Sequence, residues 1–79
     1  MPTLLREPRA ADVRCAENKL YVLLRDGREI SVPLSWFPRL ERASDAKRGR
    51  WELFGDGRAI RWDAIDEDIS VAGLFGLPD

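Results

Sequence analysis

Two Asp-Gly dipeptides, Asp26-Gly27 and Asp56-Gly57, stand between apolar runs, and they constrain this chain more than any other feature. Asp-Gly flanked by alternating apolar residues is the strongest short-range signal for a β-hairpin, because glycine accepts the positive φ that tight turns demand. Two hairpins within 79 residues leave material for one core. A single domain over residues 10–79 is therefore expected, with residues 1–9 as a flexible lead-in.

Register follows from the requirement that the apolar set end on one face. At the first hairpin a two-residue loop would pair Leu24 with Glu29 and scatter apolar side chains over both faces. A three-residue loop, Arg25-Asp26-Gly27 with Gly27 in the left-handed bulge position, pairs Val22 with Ile30 and Leu20 with Val32. Leu20, Val22, Leu24, Ile30 and Val32 then share a face, while Tyr21 and Leu23 lie on the other beside Glu29 and Ser31. At the second hairpin a loop of even length pairs Trp51 with Trp62 and Leu53 with Ile60, and sets Glu52 opposite Arg61.

Asp12 to Ala16 alternates as an edge strand would, and the turn-like Glu17-Asn18-Lys19 follows. Between the hairpins, Ser35 is expected to cap a helix carrying Phe37, Leu40 and Ala43, with Pro38 in its first turn and a turn over Asp45 to Arg48 ending at Gly49. The run Asp66-Glu67-Asp68 is expected to open a last helix with Val71, Leu74 and Phe75 before Gly76. The fold class is thus α+β: a small antiparallel sheet from two hairpins and an edge strand, one central helix and a short C-terminal helix.

The net charge of −1 hides an asymmetry. All 13 basic residues lie before Asp63, against nine acids there, while residues 63–79 hold five acids and no base. Asp63, Asp66, Glu67 and Asp68 lack the alternating Asp loop with a distal Glu that holds calcium, so helix capping, ion pairing or partner binding is expected of them and a metal is not. Arg39, Arg42, Lys47, Arg48 and Arg50 form a basic segment, and an ion pair of Arg48 with Asp66 or Asp68 is expected. Trp36, Trp51 and Trp62 read as core.

The chain contains no histidine and one cysteine, Cys15. Ser-His-Asp and Cys-His catalysis and Cys/His zinc sites fall away, and Gly55-Asp56-Gly57 is a turn, not a phosphate loop. Neither enzymatic activity nor a cofactor is expected. No apolar stretch approaches the length of a membrane span or a signal peptide, which sets a cytoplasmic location as the expectation.

Several blocks occur in order: Asp26-Gly27-Arg28, Val32-Pro33-Leu34, Trp36-Phe37-Pro38-Arg39-Leu40 and Ala43, then Arg48 and Trp51-Glu52-Leu53. Ile60-Arg61-Trp62, Asp66-Glu67-Asp68-Ile69-Ser70-Val71 and Gly73-Leu74 follow. Over residues 10 to 76 the chain resembles the family known as domain of unknown function 2442. The resemblance implies a compact α+β domain, sometimes fused to a helix-turn-helix module. In stand-alone form it implies a candidate antitoxin beside a small toxin. With 79 residues there is no room for the DNA-binding module, so a direct transcriptional role is not expected.

The leading expectation is a protein-interaction domain, the antitoxin or accessory half of a two-gene pair. It would meet its partner through Asp63, Asp66, Glu67 and Asp68 or through the Tyr21 and Leu23 face. A nucleic-acid-binding or regulatory domain using Arg39, Arg42, Lys47, Arg48 and Arg50 is the alternative, disfavoured by a pI of 5.4. A homodimer through the Tyr21 and Leu23 face is a third reading.

Overall fold

The structure is a computed structural model that describes residues 8–76. Residues 1–7 of the expected lead-in, and residues 77–79 with the last acid of the tail, lie outside the described residues. Strands β1 (Ala10–Ala16), β2 (Lys19–Leu24) and β3 (Glu29–Pro33) form one antiparallel sheet; β4 (Glu52–Phe54), β5 (Ala59–Trp62) and β6 (Glu67–Ser70) form a second. Three one-turn helices, α1 (Pro38–Glu41), α2 (Asp45–Arg48) and α3 (Val71–Leu74), and 3₁₀ turns over Leu34–Trp36 and Asp63–Ile65 complete an α+β domain.

Both hairpin registers hold. Val22 pairs with Ile30 and Leu20 with Val32 around a loop whose Gly27 has φ of 94°. Glu52 pairs with Arg61, Leu53 with Ile60 and Phe54 with Ala59, leaving an even four-residue loop. Trp51 stands just outside β4 and is half-buried, whereas Trp62 is fully buried. The expected edge strand is β1, joined to β2 by a two-residue turn in which Glu17 (φ 53°) and Asn18 (φ 62°) are both left-handed; Lys19 already belongs to β2. A bulge between Ala10 and Asp12 shifts the face alternation, so that Ala10 turns inward opposite Leu24.

The central helix differs from its expectation. Pro38 has no N–H and disfavours helical backbone at the residue before it, so Phe37 takes φ −128° and ψ 85° and the helix cannot run back to Ser35. What forms instead is a 3₁₀ turn, then α1 with Pro38 at its first position, then α2. Ser44 is the capping residue, its Oγ accepting from the Lys47 N–H at 3.2 Å. The 3₁₀ period of three puts Leu34 and Phe37 on the inner side and leaves Trp36 59% exposed, so Trp36 is not core.

The C-terminal segment differs too. Asp66 adopts left-handed backbone (φ 52°) and turns the chain into a sixth strand, with Ile69 buried opposite Ile60 and Asp68 opposite Arg61. The acids therefore lie on a strand, and the last helix is capped by Ser70, whose Oγ accepts from the Gly73 N–H.

One cluster of buried side chains from both sheets forms the core, among them Leu20, Val22, Leu40, Ile60, Trp62 and Val71. The loop of the second hairpin docks on the start of β1. The Ala10 N–H donates to the Gly57 carbonyl at 2.7 Å and the Val71 N–H to the Arg58 carbonyl at 2.9 Å. Asp56 takes Arg9 on one carboxylate oxygen and Arg25 on the other, the latter at 2.8 Å.

Two outcomes follow from this junction. A methyl group on Gly57 (φ 87°) would lie 2.7 Å from the Ala10 carbonyl oxygen, whereas one on Gly27 would meet nothing within 4 Å. Gly27→Ala is expected to cost about 1–2 kcal/mol for the left-handed backbone alone. Gly57→Ala adds a backbone clash and is expected to cost about 3 kcal/mol or more in urea denaturation. The Arg25 guanidinium, with help from Arg9, holds the Asp56 carboxyl below its usual pKa, and the backbone N–H of Arg28 does the same for Asp26. A depressed folded-state pKa contributes stability that is present above the unfolded pKa and lost as pH falls through the folded one. The urea midpoint should therefore drop below about pH 4, and Asp56→Asn should flatten part of that drop.

Candidate functional site

Arg48 organises the helical connector. Its Nε donates to the Leu40 carbonyl at 3.0 Å, another guanidinium nitrogen donates to the Glu41 carbonyl, and a salt bridge reaches Asp45 at 3.2 Å. These are the last carbonyls of α1, where the helix runs out of donors: Leu40 is otherwise met by the Ala43 N–H at 3.2 Å. The Arg48 backbone carbonyl in turn accepts from the Trp62 indole N–H at 2.9 Å. The expected pair with Asp66 or Asp68 is not formed, because the guanidinium is turned to these carbonyls.

The acids gather on Arg61 instead. Asp68 accepts from one terminal nitrogen at 2.8 Å, Asp66 from the other at 3.0 Å, and Asp63 from Nε at 3.3 Å. Asp68 first, then Asp66, raise the guanidinium pKa still further above its ordinary value. The register that sets Glu52 opposite Arg61 is present, yet the guanidinium is directed to these three carboxylates. Glu67 is half-buried and stands opposite Trp62 on β5. Among the described residues, no group of three or more His, Cys, Asp or Glu is arranged to hold a metal ion.

The basic segment divides. Arg48 is committed to the connector, and Arg39 donates to the Asp66 carbonyl at 2.7 Å. Arg42, Lys47 and Arg50 are exposed, and among the described residues their side chains make no hydrogen bond or ion pair. Arg39, Arg42, Ala43, Ser44, Lys47 and Ile65 line an open concavity of about 330 Å³. The Asp66 contact of Arg39 sets the acidic group around Arg61 directly beside it.

The Tyr21 and Leu23 face is partly covered by its own strands. The Arg14 guanidinium lies 3.9 Å from the centre of the Tyr21 ring and 3.8 Å from Glu29, and the Tyr21 hydroxyl reaches Glu17 at 3.3 Å. Leu23 is only moderately exposed, at 38%. Cys15 is half-buried beside the core, and burial pushes its thiol pKa up, away from the reactive thiolate. The concavity has no signal in the sequence, since Ile65 comes from the turn after β5 and meets Arg39 and Lys47 only through tertiary packing. Exposed Trp36 does have one: the Phe37-Pro38 step that turns it outward.

The sequence profile of the family described as Protein of unknown function (DUF2442) matches residues 10–77. A solved structure from Rhodospirillum rubrum, described as a protein of unknown function, is similar at 33% identity. The match covers 91% of this chain and 90% of that one with a TM-score of 0.78. No curated protein matches the chain.

The connector yields a stability contrast. Arg48→Lys keeps the charge and loses the fork over two carbonyls, and a cost of about 1–3 kcal/mol is expected in urea denaturation. Asp45, whose side chain is 99% exposed, should cost less than about 1 kcal/mol on replacement by Ala.

Proposed function

The chain belongs to the family described as Protein of unknown function (DUF2442), and from that premise we propose that it is a non-catalytic, cytoplasmic protein-interaction module. Its partner in this reading is the product of an adjacent gene, with this chain as the antitoxin or accessory half of the pair. The observation that carries the reading is the bipolar edge: a concavity bordered by Arg42 and Lys47, which are unpaired among the described residues, lies against the carboxylates gathered on Arg61. A surface that alternates in sign over one edge suits a folded partner of complementary pattern, since such complementarity fixes orientation and rejects wrong partners. Trp36, 59% exposed and three residues before Arg39, supplies the kind of aromatic anchor that dominates binding energy at interfaces.

Nucleic acid fits less well. A polyanion drawn to Arg39, Arg42 and Lys47 would also run against Asp63, Asp66 and Asp68, and the whole chain is acidic. Non-catalytic behaviour is supported by the absence of histidine and by the raised pKa of the one thiol.

Co-expression with the adjacent gene product, followed by size-exclusion chromatography at low salt, should give one co-eluting species that Trp36→Ala weakens. Two separate peaks would overturn the reading. Retention on oligonucleotides with a steep salt dependence would replace it with the nucleic-acid alternative.

A further inference from the structure

We infer that the concavity between α1, α2 and the turn after β5 is a seat for carboxylate side chains, taking a short acidic segment of a protein. This rests on the protein-interaction reading and adds the ligand chemistry. Arg39 is fixed in place by the bond from one guanidinium nitrogen to the Asp66 carbonyl, and its remaining N–H donors make no hydrogen bond among the described residues. Arg42 and Lys47 border the same space with no partner of their own among the described residues. The Ser44 Oγ accepts from the Lys47 N–H, so its own hydroxyl proton is available to donate.

Ala43 and Ile65 supply an apolar wall beside these donors. Contacts between ions strengthen where water is partly displaced by such surface. Arginine donors match the planar geometry of a carboxylate, and charge-assisted bonds of this kind are about twice as strong as neutral ones.

Size and surroundings select the ligand. At about 330 Å³ and open to solvent, the concavity is larger than a single small anion fills. The acids beside the seat, Asp66 and Asp63 on Arg61 and Asp45 in α2, limit how far a negative chain can extend. One or two carboxylates on a short segment fit within that limit; a continuous phosphate backbone does not.

The test uses the full chain, ¹⁵N-labelled, titrated at low salt with a short blocked peptide of alternating Glu and Gly. Saturable amide shifts confined to Ala43, Ser44, Lys47 and Ile65 are expected. The double variant Arg42→Ala and Lys47→Ala should bind about tenfold more weakly or worse, with an unchanged thermal midpoint because both side chains are exposed. Equal shifts with the Gln-for-Glu peptide, no saturable shift at those amides, or tighter binding of a single-stranded oligonucleotide than of the Glu peptide would each overturn the proposal. The two readings fail separately. If the co-expressed complex forms and survives the double variant, the seat is wrong and the module stands; if no complex forms, the peptide titration still decides the seat.

Discussion

Arg48 sits where two short helices and the second sheet meet, its guanidinium on the helices and its backbone carbonyl on Trp62, and the shape of the connector depends on it. Neither α1 nor α2 is long enough to be stable alone, since isolated helices of a single turn do not repay their nucleation cost. Arg48 supplies from outside what the helices lack, bonding the terminal carbonyls at Leu40 and Glu41 while its own carbonyl is held by buried Trp62. The side chain is only 20% exposed, so these bonds work where water competes poorly. Fixing the connector also fixes the spacing of Arg39, Arg42 and Lys47 around Ile65, which makes the stability of the fold and the form of the concavity two results of one contact.

The distribution of charge follows the same logic. Net charge near zero conceals a local contrast between the acids engaged by Arg61 and the exposed bases of the connector. Arg61 collects three carboxylates because Asp66 turns the chain back as a strand and brings Asp68 alongside. The acidic tail, so prominent as a sequence, is to that extent neutralised locally, while Arg42, Lys47 and Arg50 remain exposed. What this edge presents at the surface is mixed in sign.

The parts of the fold legible in the sequence are those governed by neighbours. Gly27 and Gly57 announce their turns, and the alternation of Leu20, Val22, Ile30 and Val32 leaves one sensible register. The helical connector is harder to read because two local signals conflict: Leu40 and Ala43 keep helical spacing from Phe37, while Pro38 forbids the continuous helix. Strand β6 is hidden because Asp-Glu-Asp is a poor strand sequence in isolation. It becomes one through Arg61, which pairs with Asp68, and through Ile69 closing on Ile60. Tertiary placement overrides propensity there. The candidate site is legible as a set of basic residues, and the concavity is not, since Ile65 joins it from a distant stretch of chain.

The two Asp-Gly loops look interchangeable in sequence, and their settings make them opposites in what they would tolerate. Around Gly27 itself there is open space, so residues added at that tip would extend into solvent at little cost as long as Arg25 keeps its hold on Asp56 and the Arg9 carbonyl. Gly57 is wedged against Ala10, with Asp56 clasped by two arginines, one before β1 and one from the first hairpin. That loop acts as an internal joint, with its length and composition fixed by the strand beneath it. Length variation among chains of this fold should therefore accumulate at the first loop and be purged from the second, and a label or affinity tag inserted into this protein belongs at the first.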